Sequence, residues 1–286
     1  MRPSILLGIL ALAGCGGGGS YSPPGDATPP TPPPPPPAED LYALDLDTGA
    51  HSVVSSVTLT PNRIVFRRIA GSAPLSTVDA LDEAGQHDTT SSQTVAACWL
   101  SVHEVTQAQW AKLAAFSPAN VEPWLAYGGD AALGGATAIA ADKPAFGVGW
   151  TVLETVLTTW NAGASRTDVR VPTANEWEFA CRSGDATATR YPWGASEDPA
   201  VATLHAVVRE TRSAAGPAIC GSRRANALGF FDLTGNVWEW VDGAPPELRG
   251  GSWFDNLRSA ASGNRQAMSD DVPYPTAGVR LVLELP

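Results

Sequence analysis

Residues 226–243 read NALGFFDLTGNVWEWVDG, and residues 248–253 read LRGGSW. Two tryptophans flank an acid at Trp238-Glu239-Trp240, and Gly235-Asn236 just before them signals a tight turn. Large rings, a buried acid and a turn within so few residues are unusual for a plain core strand.

Working outward, further short elements occur in a fixed order. Val102-His103-Glu104-Val105-Thr106 leads into an amphipathic stretch, and Lys143-Pro144 is followed by Val148-Gly149-Trp150. Then come residues 171–180, VPTANEWEFA, residues 191–194, YPWG, and near the end residues 278–282, GVRLV. Three threonines read as helix caps with a partner three residues on: Thr106 with Gln109, Thr151 with Glu154, and Thr173 with Glu176. Gly163 and Gly184 read as helix stops, and Val152, Val156 and Trp160 as one apolar face. From Arg190 to the end the chain reads as short strands among Gly, Pro, Asn and Asp turns. Few helices and many loops predict an α+β domain.

Together these elements resemble the formylglycine-generating enzyme (sulfatase-modifying factor) family, whose domain is a variant of the C-type lectin fold. The resemblance covers about Asn62 to Leu283. It implies a loop-rich α+β domain with a few short helices and short antiparallel strands. Family members that oxidise a sulfatase cysteine use two cysteines just after a GGS[WY] element to bind copper and activate oxygen, which requires soft thiolates. Here residues 254–260 read FDNLRSA and no cysteine follows Cys220. Asp255 stands about where the first thiolate would be, so neither copper nor formylglycine-generating activity is expected. A second enzymatic branch holds iron on histidines of an extra helical domain, and no HxxxHxE run occurs here.

The resemblance also implies one calcium site, with the Glu239 carboxylate, the backbone carbonyls of Gly235 and Val237, and Asp232 as a further ligand. Several hard oxygens from a sharp turn suit that ion. The alternative, Glu239 satisfying neighbouring polar groups without a metal, stays open. A second family calcium position, near Ala202-Thr203-Leu204, lacks its acidic or amide side chain.

At the N-terminus, Arg2, the apolar run Ile5 to Leu12 and Leu12-Ala13-Gly14-Cys15 read as a bacterial lipoprotein signal with Cys15 the lipidated residue. Residues 1–15 are then the signal and residues 16–40 a Gly/Pro-rich tether unable to build a core. Residues 41–61 form a lead-in strand segment and residues 62–286 the domain. Export and lipid anchoring to the bacterial cell envelope, at the outer membrane, follow as expectations. The net charge of −11 argues against nucleic acid as a partner. Apart from Cys15, the cysteines are Cys98, Cys181 and Cys220; one disulfide and one free thiol is the simplest oxidised state. The histidines are scattered and read as surface or structural.

Two functions remain open. In the first, the loop region Phe254 to Thr276 is a recognition surface on a rigid scaffold for a protein or small-molecule ligand. Phe254, Asp255, Asn256, Arg258, Ser262, Asn264, Arg265, Gln266 and Met268 are the candidate contacts. Some proteins of this fold are targets of diversity-generating retroelements, with the variable segment between GGSW and the terminal GFRLV strand, and this chain has that layout. In the second, the chain is an enzyme or accessory factor acting on exported proteins or small molecules through a non-thiol site.

Overall fold

The computed structural model describes residues 40–76, 90–119, 121–185, 189–268 and 274–285. The expected signal, Cys15 and nearly all of the tether lie outside these residues. Among the described residues no helix is long and apolar enough to cross a membrane.

Arg63–Ser76 (β3) and Thr90–Ser101 (β4) form a long antiparallel pair with a register shift between Ile69 and Gly71. The shift falls at Gly71, whose φ is +140° and whose missing side chain leaves room for the Phe179 ring. Leu41–Asp45 (β1) pairs with β3, and His51–Val53 (β2) pairs with β1. The segment read as a lead-in is thus an edge of the main sheet.

Val169–Arg170 (β5) and Val282–Leu283 (β10) complete a six-stranded sheet of order β2-β1-β3-β4-β10-β5. A second sheet, β8-β7-β6-β9, is built from Trp238–Val241 (β6), Glu247–Arg249 (β7), Arg265–Ala267 (β8) and Ala277–Val279 (β9). In it β6 and β9 run parallel, a departure from the expected antiparallel strands.

Among the described residues four α-helices pack on this frame: Gln107–Ala114 (α1), Trp150–Asn161 (α2), Ala174–Cys181 (α3) and Pro199–His205 (α4). Thr106 and Thr173 form the expected capping boxes. Thr151 does not cap α2. That helix starts two residues earlier, with Gly149 at its N-cap, and Trp150 packs its ring on Trp240 at 5.5 Å between centroids. Its buried face runs through Trp150, Leu153, Val156, Leu157 and Trp160, with Val152 at the margin.

The expected disulfide does not form. Cys98, Cys181 and Cys220 are buried free thiols. Burial pushes Cys98 and Cys181 up to about 12, so neither is a reactive thiolate.

Candidate functional site

The turn before β6 is held by groups far away in sequence. Asp232, Gly235 and Asn236 all have positive φ. At Gly235 a Cβ would lie 2.3 Å from the Val207 carbonyl oxygen, so only glycine fits. Glu104, buried just before α1, accepts from the Asn236 side-chain amide at 2.6 Å and from the Val237 N–H at 3.1 Å. The Cys220 thiol donates to the same carboxylate at 3.5 Å.

Behind the turn, Arg280 donates Nε to Glu239 Oε2 at 2.9 Å and Nη2 to Glu239 Oε1 at 2.8 Å. It also donates to the carbonyls of Ser101 and Phe231, each at 2.7 Å. Trp177 Nε1 donates to Glu239 Oε2 at 2.6 Å. Burial alone would lower the Arg280 pKa, but the Glu239 partnership outweighs it and leaves the guanidinium more firmly protonated than usual. Burial, and then the charges of Asp232 and Glu239, raise the Glu104 pKa well above the usual carboxylate range.

Both Glu239 oxygens are spent on a cation and an indole. Asp232 Oδ2 accepts from the Gly221 N–H at 2.6 Å, while Asp232 Oδ1 is buried without a hydrogen-bond partner, as is the neighbouring Thr234 Oγ1. Among the described residues no group of three His, Cys, Asp or Glu side chains converges. The donor set of Asp232, Gly235, Val237 and Glu239 therefore does not fit calcium here. The Arg280 guanidinium lies against both Glu239 oxygens, at the place where the sequence suggested an ion.

On the far side of β6 the chain turns through Gly250 and Gly251, both at positive φ. A Cβ on Gly251 would sit 2.8 Å from the Ala260 Cβ, so glycine lets the following loop close tightly. The loop's root is buried: Trp253 N–H donates to the Asn236 carbonyl at 2.9 Å and its ring packs edge-on against Phe146.

Asp255 is pinned at one oxygen. Ser252 Oγ donates to Asp255 Oδ2 at 2.5 Å and Trp238 Nε1 donates to it at 2.8 Å. The position expected for a thiolate thus holds a hard carboxylate already satisfied by a hydroxyl and an indole. Arg209 donates Nε and Nη2 to the Phe254 carbonyl at 3.0 and 2.7 Å and leaves the Phe254 ring exposed.

With this geometry in hand, residues 70–285 match the family described as sulfatase-modifying factor enzyme 1-like domain. The chain belongs to that family. The domain is similar to the Bos taurus protein named inactive C-alpha-formylglycine-generating enzyme 2, with 35% identity over 106 residues, covering 32% of this chain and 35% of that protein. The match thus spans about a third of that relative's length. In fold it resembles Treponema denticola variable protein 1, with a TM-score of 0.57 and 19% identity over 80% of this chain and 97% of the other. It also resembles PvdO from Pseudomonas aeruginosa, with a TM-score of 0.60 and 20% identity over 79% and 96% of the two chains. These neighbours support the C-type-lectin-like α+β fold.

Within this sulfatase-modifying-factor domain the expected contact residues divide. Phe254, Asn256, Arg258 and Gln266 are exposed, and Asp255, Arg265 and Met268 are half-buried. Ser262 and Asn264 are buried and are corrected to scaffold residues. Ser262 accepts from the Cys181 thiol at 3.4 Å, and Asn264 Nδ2 donates to the Ser259 carbonyl at 2.5 Å. The structure brings the exposed set together around the turn Leu257–Ala260 and β8, apart from the Glu239 core. Reading the sequence assigned no role to Glu104, Arg209 or Arg280. Glu104 and Arg280 stand inside the VHEVT and GVRLV elements, where a lone charge among apolar neighbours is the signal that marks a buried partner.

Proposed function

We propose that the chain is a cell-envelope lipoprotein whose sulfatase-modifying-factor domain is a non-catalytic scaffold. Its loop from Phe254 to Thr276 presents a ligand-binding surface, laid out as the variable segment of a diversity-generating retroelement target. One observation carries this reading. The loop alternates exposed side chains with buried anchors: Phe254, Asn256, Arg258 and Gln266 face out, while Trp253, Leu257, Ser262 and Asn264 hold the backbone. Such a backbone tolerates exchange of its outward residues without loss of fold. The absence of the cysteine pair from residues 254–260, and a fold neighbour named a variable protein, support the same reading.

A direct test is genomic. A near-copy of the gene's last part, differing at adenines and lying beside a reverse transcriptase gene, supports the reading; absence of both removes the retroelement role. Incubation of the purified chain with a sulfatase-type cysteine peptide, copper and oxygen is expected to leave the cysteine unchanged. Conversion to formylglycine would return the chain to the enzymes.

A further inference from the structure

We propose that the cleft between α4 and the turn Leu257–Ala260 binds a small zwitterion of the α-amino-acid class. The proposal deepens, and rests on, the reading of the loop as a ligand surface. The cleft encloses about 330 Å³ between Pro199 and Ala202 of α4 and the loop residues Asn256, Leu257 and Arg258. Ala202 and Leu257 belong to the small apolar cluster beneath it.

Three exposed polar side chains line it, and each is held by a neighbour at one end with a further polar group not so engaged. Glu210 Oε2 accepts the Leu257 N–H at 3.1 Å, and its Oε1 has no other hydrogen bond among the described residues. Arg258 spends Nε and Nη2 on Glu197 Oε2, both at 3.2 Å, and keeps Nη1. The other Glu197 oxygen is taken by Arg190 at 2.5 Å, so Glu197 positions Arg258 and offers little of its own. Asn256 Oδ1 accepts from the Ser259 N–H at 3.0 Å and Oγ at 3.2 Å, which leaves its amide Nδ2.

What remains is one carboxylate oxygen, one guanidinium nitrogen and one amide donor. An ammonium group satisfies the first, and a carboxylate satisfies the other two through charge-assisted bonds. A ligand of one sign would leave at least one of the three unmatched. The volume lies near the low end of small-molecule sites, which suits a molecule of amino-acid size over an oligosaccharide or nucleotide. Side chains already held in place reduce the ordering that binding must impose.

The test is calorimetric titration of the full chain with L-leucine, and with pentylamine and pentanoate as one-charge analogues. L-Leucine is expected to bind at least about tenfold more tightly than either analogue. Glu210→Gln and Arg258→Gln should each weaken it about tenfold or more, while Glu154→Gln on α2 leaves it unchanged. Melting curves establish that each variant is folded. Equal binding of all three probes, no binding of L-leucine, or indifference to Glu210→Gln and Arg258→Gln would each overturn the proposal. An adenine-substituted copy of the gene's end alongside such a failure would leave the surface reading standing and remove the cleft alone.

Discussion

Arg280 and Glu239 form a buried two-point ion pair, with Nε on Oε2 at 2.9 Å and Nη2 on Oε1 at 2.8 Å. It ties the last segment of the chain to the central strand of the second sheet. Removing one partner strands the other in the core, at a cost of about 3–5 kcal/mol. Arg280→Leu is therefore expected to lower the unfolding free energy by that amount in urea titration. Because the guanidinium supplies the cation, a calcium chelator should leave the melting temperature unchanged. Stoichiometric calcium by elemental analysis, with a chelator-sensitive melt, would restore Glu239 as a metal ligand.

Gly235 is where the turn before β6 touches Val207. Any side chain would meet the Val207 carbonyl at 2.3 Å, and φ of +78° is strained for an L-residue. Gly235→Ala should cost more than the roughly 1 kcal/mol of an ordinary left-handed substitution, because backbone must also shift. Gly194 also has positive φ, but a Cβ there would meet nothing within 4 Å, so Gly194→Ala should show the conformational cost alone. Equal destabilisation of the two variants would contradict the steric account.

The loop separates presentation from support. Phe254→Ala and Gln266→Ala should change stability by less than about 0.5 kcal/mol, as exposed positions do. Asn264→Ala removes a buried donor to the Ser259 carbonyl and should cost about 1–3 kcal/mol. Denaturant midpoints of the three variants check this. Comparable losses at all three positions would mean that the outward residues also hold the loop.

The fold was legible because its signals are local. The capping boxes at Thr106 and Thr173, the turn at Gly235-Asn236 and the tryptophan-flanked acid each declare themselves within a few residues. What reading the sequence missed depends on distant contacts. Glu104 meets the Asn236 side chain across 132 residues, and Arg280 meets Ser101 across 179. No periodicity reports either. The burial of Ser262 likewise follows from where Cys181 and the Arg190 carbonyl lie, not from its polar side chain or loop setting. Thr151 was misread as a cap because the signal is local, whereas Trp150, already inside the helix, packs on the distant Trp240.

His103 gives the chain a pH dependence of known sign. Its ring lies 4.7 Å from the Phe231 ring in a stacked pair, and Gly221 approaches so closely that a Cβ would lie 2.9 Å from Nε2. Burial, then the nearby Arg280 charge, lowers its pKa from 6.5 to about 4. A histidine more acidic in the folded state than in the unfolded one binds fewer protons when folded. Its contribution is complete above pH 6.5 and is lost as the pH falls toward 4, by an amount on the order of 3 kcal/mol. Buried carboxylates such as Glu104, whose folded-state pKa is raised, oppose this trend by losing stability as pH rises. They are common to the wild type and a His103→Gln variant, so the difference between the two isolates the histidine. That difference should shrink steadily in denaturant titrations from pH 7 to pH 4. Parallel stability profiles over that range would show that His103 titrates as an ordinary exposed histidine, and the stacking on Phe231 would then have no electrostatic consequence.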